Sequence, residues 1–328
     1  GTGDWSSDVC SSDLLNQYKK CGGVNMRKMT LLASLIMVLT MSLIVVRDTP
    51  ATTIFNDGGT GTTHIIDYVI NDDVRVDNAT TLNVWAGANI TLPSSTDGRD
   101  AISSYGNSII NVSGGDFTGG EDTDAGGSGH GMFAWESSTV SISAGTFTGG
   151  VKNTGSGGAG DGLAMRDSTL AITGGIFQGG SHANAGSIVA GHGLYTWGAT
   201  GTISGGTFLA GSTSTYSVFG WIGSELDITG GTFEDGIRAS SSIFNIYGTG
   251  LSYSGVSGDL LTGTLSDGSS ISTIVSFSGT GAEINLFNQE EQTPVPEPTT
   301  IALLGIGLAG LAGAEVRRRR KKKAVDKS

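Results

Sequence analysis

The sequence predicts an all-β fold, namely a right-handed, single-stranded parallel β-helix (a β-solenoid). Three observations support this prediction. A ten-residue segment recurs along the chain, apolar and polar residues alternate within each copy, and the 328 residues include 55 glycines but only 5 prolines. Abundant glycine without a Gly-X-Y period and with little proline argues against collagen.

The recurring segment has the form Ser/Thr, any residue, apolar, any residue, Ile/Val, any residue, Gly, Gly, any residue, Phe. Successive copies start 30, 30, 31 and 25 residues apart, and a repeat of this length indicates a stacked repeat architecture. Weaker copies start at Thr80 and Ser242. The five clear copies, two of which depart from the pattern, are Ser108–Phe117, Ser138–Phe147, Ser168–Phe177, Ala199–Phe208 and Ser224–Phe233.

Alternation within each copy predicts a strand with one buried face. Val140 and Ile142 flank Ser141, and a period of two places such apolar residues on the same side of a strand. Stacked copies would form parallel ladders in which equivalent residues lie above one another. The repeated phenylalanines would then form one interior column, and the glycines before them would permit the turn between faces.

A further short strand precedes each copy, so each repeat contains at least two strands, and we expect three. The 18-residue spacing from Ser224 to Ser242 indicates a bare repeat. The longer repeats would carry glycine-rich polar loops that project from one side, at Thr118–Gly129, Thr148–Gly160 and Gln178–Gly191. The preceding strands begin at Ile102, Met132, Leu163, Leu194, Val218 and Ile237.

The ends of a β-helix need caps, because unpaired strand edges invite association. We expect Thr53–Val76 to cap the start and Leu260–Phe287 to close the other end as a short β-meander, with a turn at Asp267–Gly268. A short C-terminal helix is expected after it. This arrangement resembles the pectin-lyase-like class of β-helix proteins, and a resemblance of architecture does not transfer activity.

The N-terminal region contains two segments that we separate from the fold. Residues 4–14 read DWSSDVCSSDL, which matches the in-frame translation of a sequencing-library adapter, so we expect residues 1–25 to be an artefact. Arg27 and Lys28 precede an apolar run at Met29–Val46, the pattern of a secretory signal peptide over 26–51. An uncleaved run of this length would be a membrane anchor instead.

The C-terminal region, 292–328, carries the most specific pattern of the chain. It contains Val295, Pro296, Glu297, Pro298 and Thr299, then an apolar stretch at Ile301–Ala314 and a basic run at Arg317–Lys323. These three parts, in this order, resemble the PEP-CTERM family of sorting tails. The resemblance implies recognition by an exosortase-type membrane protease that would cut near Pro296–Pro298.

The length and charge of the same tail agree with transient membrane contact. Fourteen apolar residues reach about 21 Å as a helix, which is shorter than the ~30 Å hydrocarbon core. The basic run would stay in the cytoplasm. An ordinary tail anchor is the alternative. These features predict export to the cell envelope, outer surface or extracellular matrix of a Gram-negative-type bacterium.

Charge and cysteine content exclude several classes of function for the predicted β-helix domain, 52–291. Thr52–Glu291 contains 23 acidic and 5 basic residues, and a surface this acidic repels nucleic acid. The two cysteines, Cys10 and Cys21, both precede Met26. We therefore expect neither a disulfide nor a thiolate metal site in this domain.

An aromatic stripe is the candidate binding surface. Its members fall two or three residues before the repeat in successive copies, so they would share one face. Such rings can contact extracellular polysaccharide, and the alternative is that they pack against the outside of the β-helix. The stripe consists of Tyr105, Trp135, Arg166, Trp197 and Trp221.

Other chemistry is more weakly indicated, and we expect no catalytic residue, cofactor or metal. Arg166 with Asp161 and Asp167 is the one compact cluster of mixed charge, and we interpret it as surface ion pairing. The loop Glu121–Asp124, with Asp116, could bind Ca²⁺ but lacks a recognised spacing. The histidines near the loop bases, interpreted as surface residues, are His130, His182 and His192.

The sequence therefore predicts an exported, non-enzymatic structural or adhesive protein of the cell surface or matrix. One alternative is a carbohydrate-active β-helix enzyme, a polysaccharide lyase or hydrolase. Another is an ice- or surface-binding protein, which would need a regular threonine array. The column before the repeated phenylalanine departs from that array twice, since it reads Asp116, Thr146, Ile176, Thr207 and Thr232.

Overall fold

The computed structural model describes residues 52–56, 62–92, 98–122, 126–154, 157–183, 191–212 and 214–289, with the isolated positions 314, 317 and 318. These residues belong to one compact unit, 51–328. The predicted adapter segment, the predicted signal peptide and the motif Val295–Thr299 lie outside the described residues. The predicted C-terminal helix also lies outside them, apart from the three isolated positions. Within the described ranges, no helix is long and apolar enough to cross a membrane.

Nearly all regular structure in the described residues is β-strand. The strands are β1 Thr53–Asn56, β2 Thr63–Ile66, β3 Val69–Ile70, β4 Val74–Asp77, β5 Thr81–Val84, β6 Asn89–Thr91, β7 Ile102–Ser104, β8 Ile109–Thr118, β9 Met132–Ala134, β10 Thr139–Thr148, β11 Leu163–Arg166, β12 Thr169–Ile172, β13 Ile176–Gln178, β14 Leu194–Trp197, β15 Thr200–Leu209, β16 Val218–Trp221, β17 Glu225–Phe233, β18 Ile237–Ser240, β19 Ile243–Ser252, β20 Asp259–Leu265, β21 Ser270–Ser278 and β22 Glu283–Asn288.

Three parallel ladders connect equivalent strands of successive repeats, as the repeat spacing predicted. The first ladder runs through β1, β4, β7, β9, β11, β14, β16, β18 and β21. The second runs through β2, β5, β8, β10, β12, β15, β17, β19 and β22. The third joins β3, β6 and β13 with the C-terminal parts of β8, β10, β15 and β17.

The core lies between the three ladders, because alternate residues of each strand point inward. In β10, Val140, Ile142 and Phe147 are buried. The phenylalanine column predicted from the repeat is confirmed. Rings of successive repeats lie 4.8, 5.1, 5.0 and 5.3 Å apart between centroids, in the order Phe117, Phe147, Phe177, Phe208 and Phe233. Burying each ring contributes roughly 1.5–3 kcal/mol relative to exposure.

The chain turns between the second and third ladders at the glycine two residues before each phenylalanine. Gly145 has a φ of 121°, a conformation that residues with a Cβ rarely adopt. The register shifts on both sides of Ala144, where β10 pairs with β8. The strand therefore bends at this point and continues on the next face.

The ends of the stack differ in part from the predicted caps. Thr53–Val76 forms no separate cap, because β1, β2 and β3 begin the same three ladders. At the other end, β20 and β21 form the predicted antiparallel hairpin with its turn at Asp267–Gly268. The strand β22 departs from a simple meander, since it returns to pair in parallel with β19.

Candidate functional site

An aromatic face covers the outward side of the first ladder. In β9, Met132 and Ala134 point into the core, so Phe133 and the following Trp135 point outward. The same alternation in neighbouring repeats extends this surface along the stack. We define the aromatic face as Tyr105, Phe133, Trp135, Arg166, Tyr195, Trp197, Phe219 and Trp221.

The repeat itself fixes the position of this face. Four of the five copies begin with a buried serine, whose hydroxyl donates to a backbone carbonyl two or three residues earlier, and the exception begins with Ala199. Ser138 bonds the carbonyl of Trp135 at 2.7 Å, and Ser224 bonds that of Trp221 at 2.8 Å. The turn before each copy therefore places the stripe residue two or three residues ahead of the copy, on the outward side.

The structure brings the five predicted stripe residues into one column. Arg166 pairs with Trp197, and Trp197 with Trp221, in parallel register. Tyr105 and Trp135 directly follow the paired residues Ser104 and Ala134, and their rings lie 6.2 Å apart.

Arg166 is held between two indole rings. Its guanidinium carbon lies 4.7 Å from the ring centroid of Trp135 and 4.2 Å from that of Trp197. Its Nε lies 3.7 Å from a carboxylate oxygen of Asp167. Cation–π contacts at exposed sites contribute about 0.5–1 kcal/mol each. The side chain thus joins the tryptophans above and below it into one surface.

A second aromatic column beside the stripe was not predicted. Phe133, Tyr195 and Phe219 occupy the outward position two residues earlier in their repeats. Tyr195 and Phe219 lie 5.7 Å apart, and Phe133 lies 6.3 Å from Trp135, between ring centroids. The period-two rule that places Trp135 outward also places Phe133 outward, so this column could have been found from the sequence.

The rings of the aromatic face contact one another extensively, and they are half-buried except at one end. Trp197 and Trp221 lie 5.2 Å apart between centroids. Trp221 is 38 % exposed, and its partner in the next repeat is the small residue Ser240. The indole of Trp221 therefore presents the most accessible ring surface at this end of the face.

A column of alternating aspartate and histidine borders the aromatic face. The backbone N–H of His130 donates to Asp100 at 2.8 Å, that of Asp161 to Nδ1 of His130 at 2.8 Å, and that of His192 to Asp161 at 2.7 Å. The side chains of Asp100, His130 and Asp161 thus lie against a backbone donor of the next repeat, whereas Nδ1 of His192 lies 2.9 Å from the carbonyl oxygen of Tyr216. Asp161, which the sequence analysis grouped with Arg166, instead contacts His130 and His192.

The electrostatics of this column favour the protonated form of His130. Burial alone would lower the pKa of His130, but the hydrogen bond to Asp161 and the charges of Asp100 and Asp161 raise it to about 9. The Nδ1 atom of His130 lies 3.3 Å from the Asp161 carboxylate. The protonated ring can donate from Nδ1 to this carboxylate, whereas only the neutral ring can accept from the backbone N–H of Asp161. Burial, and then the charge of Asp161, raise the pKa of Tyr195 as well, so its hydroxyl stays protonated at neutral pH.

A buried ionic column lies at the base of the loops and consists of Asp122, Lys152 and His182. Lys152 is fully buried, and its Nζ lies 2.9 Å from Asp122. Lys152 bridges in parallel to Asp122 on one side and to His182 on the other. The prediction that His182 is a surface residue is wrong, since it is only 3 % exposed; His130 and His192 are partly exposed.

The described residues of the acidic loop make contacts within the protein. The carboxylate of Asp122 is paired with Lys152, and Glu121 accepts a hydrogen bond from Asn153 at 3.3 Å. Asp116 lies on the outer side of the third ladder, and Asp124 lies outside the described residues. Among the residues that the structure describes, no three His, Cys, Asp or Glu side chains cluster as metal ligands would.

The column considered for ice binding is in register on the third ladder. Thr146 pairs with Asp116 on one side and Ile176 on the other, and Thr207 pairs with Thr232. Its two departures from threonine therefore interrupt the outward surface, as the sequence indicated.

Comparison with known families matches residues 294–320 to the PEP-CTERM protein-sorting motif. The match includes the predicted motif Val295–Thr299 and the apolar stretch after it. No curated protein and no solved structure matches the chain. The motif indicates an exported bacterial protein that an exosortase-type membrane enzyme processes and sorts to the cell envelope or surface.

Proposed function

We propose that this chain is a non-enzymatic structural or adhesive protein of the cell surface or extracellular matrix of a Gram-negative-type bacterium. Its ectodomain would be a right-handed parallel β-helix of the pectin-lyase-like class, and its aromatic face would contact extracellular polysaccharide. The observation that carries this proposal is the continuity of the aromatic face over successive repeats, on a chain with a sorting motif.

The handedness follows from a general rule of β topology. Each repeat passes from the first ladder to the second and then to the third before it returns to the first ladder one repeat further along. Connections between parallel strands of one sheet are right-handed in about 98 % of cases. We therefore propose a right-handed winding for this stack.

The form of the aromatic face supports adhesion. Aromatic side chains combine a large apolar surface with polar edges, and their ring faces can stack on sugar rings. Here the rings are held on rigid strands, so little conformational entropy is lost when a ligand binds. Trp221, with its exposed indole, is the ring that we expect to contribute most to polysaccharide contact.

The environment of Arg166 favours binding over catalysis. A lyase acting on acidic sugars needs a cation that can neutralise a substrate carboxylate. The guanidinium of Arg166 is stacked between two indoles and lies near Asp167. We therefore assign Arg166 to holding the tryptophans in place.

The test combines a binding assay with an assay for cleavage. The full-length protein and its Trp221→Ala variant are incubated with immobilised bacterial exopolysaccharide, and retained protein and released sugar are both measured. We expect retention of the wild-type protein, weaker retention of the variant, and no released oligosaccharide. Depolymerisation that is lost in Arg166→Ala would overturn the proposal and indicate an enzyme. Equal retention of the wild-type protein and the Trp221→Ala variant would show that the aromatic face does not bind the polysaccharide.

A further inference from the structure

We infer that a groove on the outer side of the second ladder, separate from the aromatic face, is a binding site for one linear chain of a neutral polysaccharide. The groove has a volume of about 380 Å³, and Asn83, Trp85, Asn111, Ser113, Ser143 and Thr173 contribute to its lining. The inference goes beyond the proposed adhesive face and does not depend on it.

The groove arises where the strands bend from the second ladder to the third. Ser113, Ser143 and Thr173 follow the buried residue that ends the second-ladder segment of their repeats, and the register shift beside Ser143 marks the bend. Small side chains at a bend leave a channel that runs along the stack. Neighbouring strands are about 4.8 Å apart, so the channel crosses successive repeats at a regular spacing.

Trp85 lies at one end of this channel. Trp85 occupies the same position, after β5, as Ser113 does after the second-ladder part of β8, and it is 49 % exposed. The exposed half of the indole offers an apolar ring face together with a polar N–H edge. Since its neighbour in the channel is the small Ser113, the ring is open toward the channel. A sugar ring in the first part of the channel can stack on it.

The channel floor presents hydrogen-bonding groups in a fixed order. The hydroxyls of Ser113, Ser143 and Thr173 donate to backbone carbonyls of the preceding repeat, at 3.1, 3.3 and 3.4 Å. Their oxygen lone pairs are then left to accept from a ligand. Asn111 donates to the side-chain oxygen of Asn83 at 2.9 Å, which leaves the Asn83 amide hydrogens as donors. Such a floor suits the hydroxyl groups of a sugar.

The uncharged lining of the channel distinguishes between classes of ligand. None of the described residues that line it carries a charge, whereas uronate or phosphate groups are usually held by Arg or Lys. A peptide strand would need an open sheet edge, and the backbone groups here are already paired within the second ladder. A neutral, hydroxyl-rich chain is the class that matches both the indole and the uncharged floor.

The experiment is calorimetric titration of the full-length protein with hexasaccharides. Cellohexaose, laminarihexaose and mannohexaose serve as neutral probes, and hexagalacturonate serves as the acidic one. We expect saturable binding of at least one neutral probe and none of the acidic probe. Trp85→Ala should weaken that binding about tenfold or more, equivalent to at least about 1.4 kcal/mol.

Two further variants separate this site from the aromatic face. Ala171→Tyr places a large side chain on the channel lining, at an outward position of a strand that accepts aromatic residues, and should also reduce binding. Trp221→Ala removes a ring of the aromatic face only, so binding of the neutral probe that is lost in this variant belongs to that face, whereas binding lost in Trp85→Ala and Ala171→Tyr belongs to the groove. Circular dichroism should show that all three variants keep their β-structure.

The outcomes distinguish the two proposals. If no neutral probe binds, or if Trp85→Ala and Ala171→Tyr bind as tightly as the wild type, the groove is not the site. If Trp221→Ala alone loses binding, the aromatic face binds the sugar and the groove proposal is overturned. Tighter binding of hexagalacturonate than of the neutral probes would contradict the assignment of ligand class.

Discussion

A residue in this protein has its closest partners about one repeat away in the sequence, because the parallel ladders place equivalent positions above one another. The phenylalanine column could be predicted, since the same residue type recurs at a fixed spacing. Asp122, Lys152 and His182 recur at spacings of 30 residues too, but they differ in type and lie in irregular loops. Their burial was therefore not predicted, although the spacing alone would have aligned them.

Removing one ring from the phenylalanine column should destabilise the fold substantially. Phe177 is fully buried between rings at 5.1 and 5.0 Å, so Phe177→Ala leaves a cavity. We expect a loss of about 3–5 kcal/mol in the free energy of unfolding, measured by urea titration. The adjacent Ile176→Ala is the control, because Ile176 is 44 % exposed and its truncation should cost less than about 0.5 kcal/mol. Equal effects of the two substitutions would contradict an interior column.

The aspartate–histidine column should make stability depend on pH. The raised pKa of His130, about 9, means that its protonated form stabilises the fold fully below the unfolded value of about 6.5. This contribution is lost as the pH rises through 9. Asp161→Asn should lower the pKa of His130, since it removes the nearest negative charge. Proton NMR titration, with His130→Gln to assign the resonance, measures both values, and an unchanged pKa in Asp161→Asn would contradict the assignment.

At the scale of the element, the repeated segment is one strand bent into two. Sequence patterning predicted its first half from apolar alternation and its bend from the paired glycines. The hairpin β20–β21 was predicted as well, from alternation around Asp267–Gly268. The return of β22 to the second ladder was not predicted, because local patterning records which residues are buried and not which strand they pair with. The outward groove was missed for the same reason, since its lining comes from several repeats.

The glycine at each bend should be needed for both backbone conformation and space. A Cβ on Gly145 would lie 3.1 Å from the carbonyl oxygen of Gly115 and 3.3 Å from the ring of Phe147. Gly145→Ala should therefore cost about 1–2 kcal/mol in backbone strain and about 1–3 kcal/mol in overpacking. Gly258→Ala is the control, because Gly258 also has a φ beyond the left-handed α region, at 93°, but nothing lies within 4 Å of its Cβ position. Thermal unfolding of both variants should show the larger loss for Gly145→Ala, and a larger loss for the control would contradict the role of the bend.

At the scale of the whole molecule, the stack behaves as a one-dimensional array, in which each repeat contacts mainly its two neighbours. The outer surfaces are then independent of one another. The aromatic face lies on the first ladder, and the neutral groove lies at the bend between the second and third. The sorting motif acts independently of both surfaces. The stacked repeats and the sorting motif could be predicted from the sequence, because each appears as a periodic or contiguous pattern of residues. The residues that contact a ligand come from several repeats together, so the sequence alone does not identify them.

Because the array is one-dimensional, deleting one whole repeat should leave a folded protein. Removing residues 139–168 joins Ser138 to Thr169, so that β12 takes the place of β10 beside β8, with Thr169 opposite Ile109. His182 would then lie opposite Asp122, and Phe177 would stack on Phe117. We expect the β-sheet circular dichroism spectrum and a single cooperative thermal transition to be retained, with some loss of stability from the shorter core. Deletion of residues 139–153, half a repeat, would set second-ladder strands opposite loop residues and should abolish the transition. If both deletions retained the thermal transition, or if both lost it, the fold would not depend on the register of the repeats.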